Sequence, residues 1–436
     1  MNNPVTSRSL IYLAAPAALS AMLNNAFRVI DQHAVQWLGV DAQAAIASTT
    51  FVLIGFFAGY SIISSGAIAL ISRSVGSNDI MSQKKLIGNA LTGAAILGVV
   101  ILSLSGLLAP WTAAMLGLED HLAETTEVYL RWHALFCFPQ ALAPTIDAIF
   151  IAYGRTKTVL LLQTTASILN FLLNPIFIYY LGYGIGGAAL ATGISQSVAV
   201  LLGLFLIIRT IKPKTRDYFL DDSIQRIAKV GLPMCWGTLL FAGVYWALLN
   251  LVISPLGPAV NAALGIGFSV LEGFTWPVFW GFSMAIASLV GRYLGSNRID
   301  LANQAIRLAF RMMTIAGVIA ATVFWFGAYP FCVLFTEDPE VLRQAVLYAQ
   351  ILAFSQLFVA YEALAEGILS GAGDTKTILI WSAPLNLLRI PLCWLYAIYY
   401  GYGSAAIWWV INLSTILKAL GKWRAVQKGK WRSLDI

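Results

Sequence analysis

Apolar runs long enough to cross a bilayer follow one another almost without interruption from Leu10 to Leu420. A spanning helix needs about 20 apolar residues. Hydrophobic residues make up 59% of this 436-residue chain and charged residues only 11%, a balance that excludes an ordinary soluble domain. Because membrane strands are short and alternate in polarity, these long runs predict an all-α polytopic membrane protein.

The distribution of basic residues sets the predicted orientation of the spans. Lys and Arg fill alternate loops and the carboxyl-terminal tail, whereas the loops after the third and ninth spans carry Asp and Glu without Lys or Arg. Since basic loops stay on the inner side, we expect an inner (cytoplasmic) membrane protein with both termini in the cytoplasm. The net charge of +7 lies in these loops and not on a basic helix, so no nucleic-acid partner is expected. The twelve predicted spans are residues 9–38, 43–71, 86–110, 122–151, 158–181, 185–209, 226–254, 258–290, 302–328, 341–371, 376–400 and 404–424.

An internal repeat divides the chain into two similar halves. RSVGSN at residues 73–78 recurs as RYLGSN at residues 292–297, and the Gly182-Tyr183-Gly184 turn also recurs 219 residues later. Several matches at one offset indicate duplicated halves, and an even number of spans per half gives both copies the same orientation. We predict two pseudo-symmetric six-helix lobes that rock about their interface, with an N-terminal lobe at 1–210, a cytoplasmic linker at 211–225 and a C-terminal lobe with a basic tail at 226–436.

The first span carries Arg28 and Asp31 inside an otherwise apolar segment. An ionised side chain at the centre of a bilayer costs from about 3 to more than 10 kcal/mol, so such residues usually face a bundle interior or a wet cavity and serve a transport pathway. We predict that Asp31 titrates or binds a cation. The structural alternative is a same-face helix pair in which Arg28 neutralises Asp31.

Six short motifs are distributed over both halves of the chain: ISRSVG and LVGRYLG, YGRTK and GAGDTK, LGYGIGGAALAT, and RIPL. With the acid in the first span, this set resembles the multidrug and toxic compound extrusion (MATE) family over essentially the whole chain. The resemblance implies a twelve-helix, two-lobed antiporter that exports amphiphilic, often cationic, small molecules in exchange for protons or sodium ions. No other cofactor is expected, and we expect a monomer in the lipid bilayer.

The resemblance also implies a coupling site. Asp31 matches the acid that the family keeps on its first helix, and Asn170 and Thr192 match its polar partners on the fifth and sixth spans. Asn174 departs from the pattern, because some family members carry a second Asp there. With one carboxylate fewer, we favour protons over Na⁺ as the coupling ion, although the oxygens of these four residues also suit a monovalent cation. Interhelical hydrogen bonding is the structural alternative for the amides and the hydroxyl.

Three of the other acids within predicted spans, on the fourth and tenth spans, are candidates for a structural or a transport role. Asp147 on the fourth span has Glu366 on the tenth span as its counterpart at offset 219, which suggests a symmetric ion pair as readily as a transport role. Glu362 lies one turn before Glu366, and Arg389 on the eleventh span is a candidate partner for these two acids. If one of the two carboxylates is neutralised in this way, the other is a candidate for carrying a proton or contacting substrate.

On the eighth span, Glu272, Trp276 and Trp280 are spaced by four residues and therefore share one helix face. A carboxylate beside two indoles suits an organic cation, because aromatic faces attract cations by about 0.5–2 kcal/mol each. The alternative is a Trp-rich surface toward lipid. Because Asp31 aligns near Leu249 in the second half, we expect ion coupling in the N-terminal lobe and substrate contacts in the C-terminal lobe.

A lipid flippase and a membrane-embedded enzyme are the alternatives to a drug transporter. A flippase for lipid-linked precursors would have the same fold, but it is expected to need a cavity rich in Arg and Lys for phosphate groups. A membrane-embedded transferase would need acid clusters that bind a metal, and no DxxxD or DDxxD pattern lies at a helix end. We therefore predict a transporter and not an enzyme, with no metal site other than the possible sodium ligands.

Overall fold

The computed structural model describes the backbone of residues 5–115, 120–434 and 436, and every regular element in these ranges is helical. Within them, the side chains of residues 28–29, 32, 40–41, 43–44, 47–48, 51, 108–115, 120–122 and 269–270 are not described. The helices of the first half are α1 Ser7–Ala34, α2 Val40–Gly76, α3 Ile80–Met115, α4 Asp120–Ala134, α5 Cys137–Ala152, α6 Thr156–Pro175 and α7 Gly184–Thr210. Those of the second half are α8 Asp222–Leu248, α9 Pro258–Ile266, α10 Glu272–Gly295, α11 Ile299–Phe326, α12 Ala328–Cys332, α13 Pro339–Ala353, α14 Gln356–Ala372, α15 Thr375–Leu387, α16 Arg389–Cys393 and α17 Gly403–Lys428.

The helices account for the predicted membrane spans. Among the described residues, ten helical stretches are long and apolar enough to cross a bilayer. The pairs α4–α5 and α13–α14 each add a span that is bent by 57°, which brings the number to as many as twelve. The two bends lie at equivalent places in the two halves, a feature that the apolar runs alone did not reveal.

The duplicated loops of the two halves have duplicated backbone conformations. Asn78 and Asn297 have φ angles of 57° and 55°, and Gly154 and Gly373 have φ angles of 72° and 84°. These left-handed conformations favour Gly and Asn, which explains why the repeat is clearest at these positions. In both halves a π-helical turn also precedes the Gly-Tyr-Gly loop, at Ile176–Tyr180 and at Trp394–Tyr399.

Tertiary contacts divide the chain into two compact units. The amino-terminal unit is Leu19–Cys235, and the carboxyl-terminal unit combines the chain up to Ala18 with Trp236–Ile436. The boundaries of these units fall inside α1 and α8, so each of these helices contributes to both units. The division of the sequence at residues 210 and 226 rests on loop composition and stays a prediction.

Small residues bring α10 and α14 into backbone contact inside the carboxyl-terminal unit. A Cβ atom at Gly367 would lie 2.4 Å from the Ser283 carbonyl oxygen, and one at Gly371 would lie 2.2 Å from the Ala287 carbonyl oxygen. Membrane helices pack closely through such residues because lipid gives no hydrophobic drive to their association. The contact fixes the position of α14, which carries two of the predicted acids.

The segment that joins α7 to α8 is bound to α3 by its backbone. We call residues 215–221 the strap; it includes a 3₁₀ turn at Thr215–Tyr218. Asn89 donates to the carbonyl oxygens of Asp217 (3.4 Å) and Phe219 (3.2 Å) and accepts from the Asp221 N–H (3.0 Å). The cytoplasmic linker predicted at 211–225 is therefore an ordered part of the amino-terminal unit.

An ion pair closes the end of the strap. Lys85 Nζ lies 2.5 Å from Asp221 Oδ2. Burial opposes ionisation of Asp221, but hydrogen bonds from Lys85 and Ser223 outweigh it and lower the pKa of this carboxyl. Because the folded pKa is depressed, the contribution of the pair is present at neutral pH and is lost only as the pH falls through that lowered value.

Replacing Asn89 with Leu should release the strap. Losing hydrogen bonds to three backbone groups costs about 1–2 kcal/mol, so we expect trypsin to cleave after Lys214 and Arg216 about tenfold faster. The matched control is Asn250→Leu, since the exposed Asn250 donates only to the Trp246 carbonyl oxygen of its own helix (2.8 Å). Equal cleavage rates in the two variants would contradict this role of Asn89.

Candidate functional site

The Asp31 carboxylate on α1 is surrounded by three neutral polar side chains in the amino-terminal unit. Asn170 and Asn174 direct their Nδ2 groups to Asp31 Oδ1 at 3.0 and 2.9 Å, and the Thr192 hydroxyl donates to Oδ2 at 2.7 Å. Asp31 is only 5% exposed, and its three partners are also buried. The structure therefore brings together all four residues that the sequence proposed as a coupling site.

Local helix geometry explains the convergence of the two amides. Asn170 and Asn174 lie one turn apart on α6, so both side chains project from the same face. Pro175 follows directly and has no N–H to donate to the carbonyl of Phe171. Beyond it the helix widens into the π-helical turn, so the amides lie at the end of the regular part of α6.

The site holds its carboxylate with neutral donors. Among the described side chains, no Lys, Arg or His forms an ion pair with Asp31. The side chain of Arg28 lies outside the described residues, so the predicted Arg28–Asp31 pair stays a prediction. Asn174 Oδ1 is buried and has no hydrogen-bond partner in the part of the chain that is described. The site thus combines one carboxylate with one unused acceptor oxygen.

Asp147 on α5 is hydrogen-bonded to an amide. Gln163 Nε2 donates to Asp147 Oδ2 at 2.9 Å, and no described basic side chain pairs with this acid. Its repeat counterpart Glu366 does form an ion pair, so the symmetric pairing suggested by the sequence is not observed. The reason is that the positions equivalent to the lysines near Glu366 are Ala199 and Gly203.

Two acids of α14 and two lysines of α17 form a buried charge cluster in the carboxyl-terminal unit. Glu362 Oε1 lies 3.0 Å from Lys418 Nζ and 2.6 Å from Lys422 Nζ, and Lys422 also bonds Glu366. The Lys422 side chain is fully buried. The cluster is formally neutral, and Lys422 bridges both acids.

Arg389 does not pair with these acids as the sequence suggested. Its Nε donates to the Ser414 hydroxyl at 2.7 Å and its Nη2 to the Thr415 hydroxyl at 3.1 Å. Its guanidinium carbon lies 5.9 Å from the centre of the Tyr245 ring. Lys418 and Lys422 take the place of Arg389 as partners of the acids.

The two lysines were not predicted as partners of these acids, because they were counted with the basic residues of the cytoplasmic tail although the last predicted span, 404–424, contains them. The structure places both inside α17, which ends at Lys428. Lys418 and Lys422 are spaced by four residues, as are Glu362 and Glu366, so each pair occupies one helix face. That matched spacing was the signal available in the sequence.

Glu272, Trp276 and Trp280 follow one face of α10, as their spacing predicts. The two indole rings stack with centroids 5.3 Å apart. Tyr348 donates its hydroxyl to Glu272 Oε1 at 2.9 Å. Trp276 is 49% exposed, so this aromatic surface is open and the acid lies beside it.

A family profile and full-length relatives both match this chain. The MatE family profile matches residues 16–176 and 233–395. The probable multidrug resistance protein NorM of Thermotoga maritima is 23% identical over 98% of this chain and 94% of its own length. The multidrug export protein MepA of Staphylococcus haemolyticus is 21% identical over 94% of this chain and 91% of its own.

A solved structure has the same fold. The crystal structure of a mutant of the Vibrio cholerae MATE transporter VcmN matches with a TM-score of 0.91 at 21% identity and covers 98% of both chains. The family profile covers most of both halves, including the helices that carry Asp31, Asn170, Glu272 and Glu362. The repeat, the helical architecture and this match lead to one conclusion: the chain belongs to the MATE family of membrane transporters.

Proposed function

We propose that the protein is a cation-coupled antiporter that exports amphiphilic, often cationic, compounds by alternating access, with protons as the coupling ion. The names of its relatives, a probable multidrug resistance protein and a multidrug export protein, support small amphiphiles as substrates. The observation that carries the proposal is the Asp31 carboxylate, which is buried among neutral donors. A group held in this way can change its charge without breaking an ion pair to a described side chain.

Proton binding at this site requires little rearrangement. Thr192 Oγ1 now donates to Asp31 Oδ2 and accepts from Asn170 Nδ2. A proton on Oδ2 reverses the direction of the 2.7 Å bond, because a protonated carboxyl donates where the carboxylate accepted. The Thr192 hydroxyl proton then turns to another acceptor, as a serine or threonine hydroxyl can by rotating about its C–O bond.

A sodium ion would make a larger demand on the same residues. Hard cations are bound by oxygen atoms, whereas both amides now direct N–H groups at Asp31. Both amide groups would have to turn their oxygens inward before Na⁺ could bind. This difference supports protons over Na⁺ as the coupling ion.

We assign the cationic end of the substrate to Glu272 with Trp276 and Trp280. The carboxylate supplies charge, and each indole face adds about 0.5–2 kcal/mol of attraction for a cation. Glu362 was the other predicted contact, but two lysines already occupy it. We further propose that the protein acts as a monomer in the inner membrane with both termini in the cytoplasm.

Transport in proteoliposomes tests the proposal. Ethidium is the probe, and pH and sodium gradients are imposed separately at zero membrane potential. We expect the proton gradient to drive ethidium in the direction opposite to proton flow, and we expect no ethidium movement when only a sodium gradient is imposed. Transport driven by sodium alone would reject protons as the coupling ion. Failure with both gradients, together with translocation of a fluorescent lipid-linked precursor, would reject the antiporter in favour of a flippase.

A further inference from the structure

The repeat places Arg389 at the position that Asn170 occupies in the amino-terminal unit. Ser414 corresponds to Ser195 at the same offset of 219 residues. The helices also correspond, because α6 and the α15–α16 pair both lead into a π-helical turn and a Gly-Tyr-Gly loop before α7 and α17 begin. The carboxyl-terminal unit therefore contains a counterpart of the Asp31 site.

This counterpart has the opposite polarity. The polar groups that hold or supply the negative charge in the amino-terminal unit are replaced by less polar side chains. One cation has been added, the guanidinium of Arg389. The replaced positions are Asp31 by Leu249 (offset 218), Asn174 by Cys393 and Thr192 by Ile411.

Arg389 is a buried cation whose hydrogen-bond partners are neutral. It is 2% exposed, and its hydrogen bonds go to the neutral hydroxyls of Ser414 and Thr415. In the part of the chain that the structure describes, no carboxylate forms an ion pair with it. Buried charges in proteins are normally paired, so the site is complementary to a negatively charged ligand.

The surrounding charges favour a ligand of mixed charge. Lys418 lies one turn after Ser414 on α17 and adds a second cation, although Glu362 neutralises it. Two aromatic rings connect Arg389 to the helical stretch that carries Glu272: Arg389 lies over Tyr245, and the Tyr245 ring centre is 6.1 Å from that of Phe268, four residues before Glu272. Glu272 accepts a hydrogen bond from Tyr348, and no ion pair joins it to Arg389 among the described side chains.

The approach to the guanidinium is lined by an aromatic ring. Tyr245 lies over Arg389 and is itself only partly buried. The ring of Tyr245 therefore offers an aromatic face beside the guanidinium for a flat, apolar molecule.

We propose that Arg389, Ser414 and Thr415 form a site for the carboxylate of a zwitterionic amphiphile whose cationic group is held by Glu272. This inference deepens the proposed export function and rests on it. A planar guanidinium matches a carboxylate in shape and hydrogen-bond direction. On binding, the carboxylate replaces the two hydroxyls as acceptor and supplies the missing negative charge.

A matched pair of dyes tests the site. Tetramethylrhodamine has a free carboxylate, and its methyl ester is the same molecule without that charge. Binding of each to the purified, detergent-solubilised protein is followed by fluorescence anisotropy. We expect Arg389→Gln to weaken binding of the acid by about tenfold or more and to change binding of the ester less than twofold.

Two further variants make the result decisive. Arg292→Gln removes another guanidinium of the same unit, which donates to the Ser288 carbonyl oxygen, and should leave the affinity ratio of acid to ester unchanged. Arg389→Lys keeps the charge and loses the planar fork, so we expect an intermediate ratio even if the Gln variant fails to fold. A ratio that stays at the wild-type value in both Arg389 variants, or in the Lys variant when it alone folds, overturns the proposal.

The assay also separates this inference from the proposed function. Binding is measured without any ion gradient, so a failure of proton coupling would not alter the dye ratio. Conversely, if ethidium export is proton-driven but Arg389→Lys leaves the affinity ratio of acid to ester unchanged, the carboxylate site is rejected and the proposed export function stands.

Discussion

Replacing Asp31 with Asn should abolish proton-coupled efflux and leave a folded protein in the membrane. Asn has nearly the same shape, but it cannot exchange a proton near neutral pH. Since coupling depends on a group that changes charge, we expect proton-driven ethidium transport to fall about a hundredfold or more, the usual scale for loss of a positioned proton-transfer group. The measurement is initial transport rate in proteoliposomes, normalised to the amount of reconstituted protein.

Asp147→Asn is the matched control for this variant. Asp147 is another acid within the helices of the amino-terminal unit, and it too accepts a hydrogen bond from an amide side chain. We expect it to retain proton-driven transport within about threefold of wild type. Equal loss in both variants, or normal transport by Asp31→Asn, would remove Asp31 from its proposed role.

Replacing Lys422 with Met should cause the largest loss of stability among single substitutions in the charge cluster. The lysine is fully buried and bridges Glu362 and Glu366. Its removal leaves Glu366 without its cation and Glu362 with only Lys418. Breaking a buried ion pair costs about 3–5 kcal/mol, because the remaining charge stays desolvated. Thermal unfolding in detergent, followed by size-exclusion chromatography, measures the effect.

A compensating change distinguishes charge imbalance from lost packing. In Lys422→Met with Glu366→Gln, the Lys418–Glu362 pair at 3.0 Å remains and the cluster is neutral again. We expect this double variant to recover most of the lost stability. Lys418→Met alone should destabilise less than Lys422→Met, since Glu362 keeps its bond to Lys422. A double variant as unstable as Lys422→Met would show that the packing of the lysine stem is what matters.

Most of the fold could be predicted because the bilayer imposes simple rules. Apolar runs of sufficient length identify the spans, and the repeat identifies the two halves. The bends at residues 135–136 and 354–355 were not predicted, because hydropathy is continuous across them. The attachment of the strap to α3 was also not predicted, because its backbone is hydrogen-bonded to the side chain of Asn89, more than 120 residues earlier in the chain.

The sequence predicted the residues of the Asp31 site but not those of the buried charge cluster. Asp31 and its partners could be named because a lone acid in an apolar span is conspicuous and the family resemblance supplied Asn170 and Thr192. The charge cluster could not, because Lys418 and Lys422 were counted with the basic residues of the cytoplasmic tail, although the last predicted span, 404–424, contains them. Their burial depends on the contact of α17 with the acids of α14, which composition does not reveal.

Proton release on substrate binding tests the central claim most directly. Ethidium is added to the detergent-solubilised protein in weakly buffered solution near neutral pH, and a pH-sensitive dye reports the protons that leave. If Asp31 exchanges its proton for substrate, the wild-type protein releases protons when it binds ethidium. The Asp31→Asn variant still binds ethidium but releases no protons. Equal release from both proteins would contradict the account, because the exchanged proton would then come from another group.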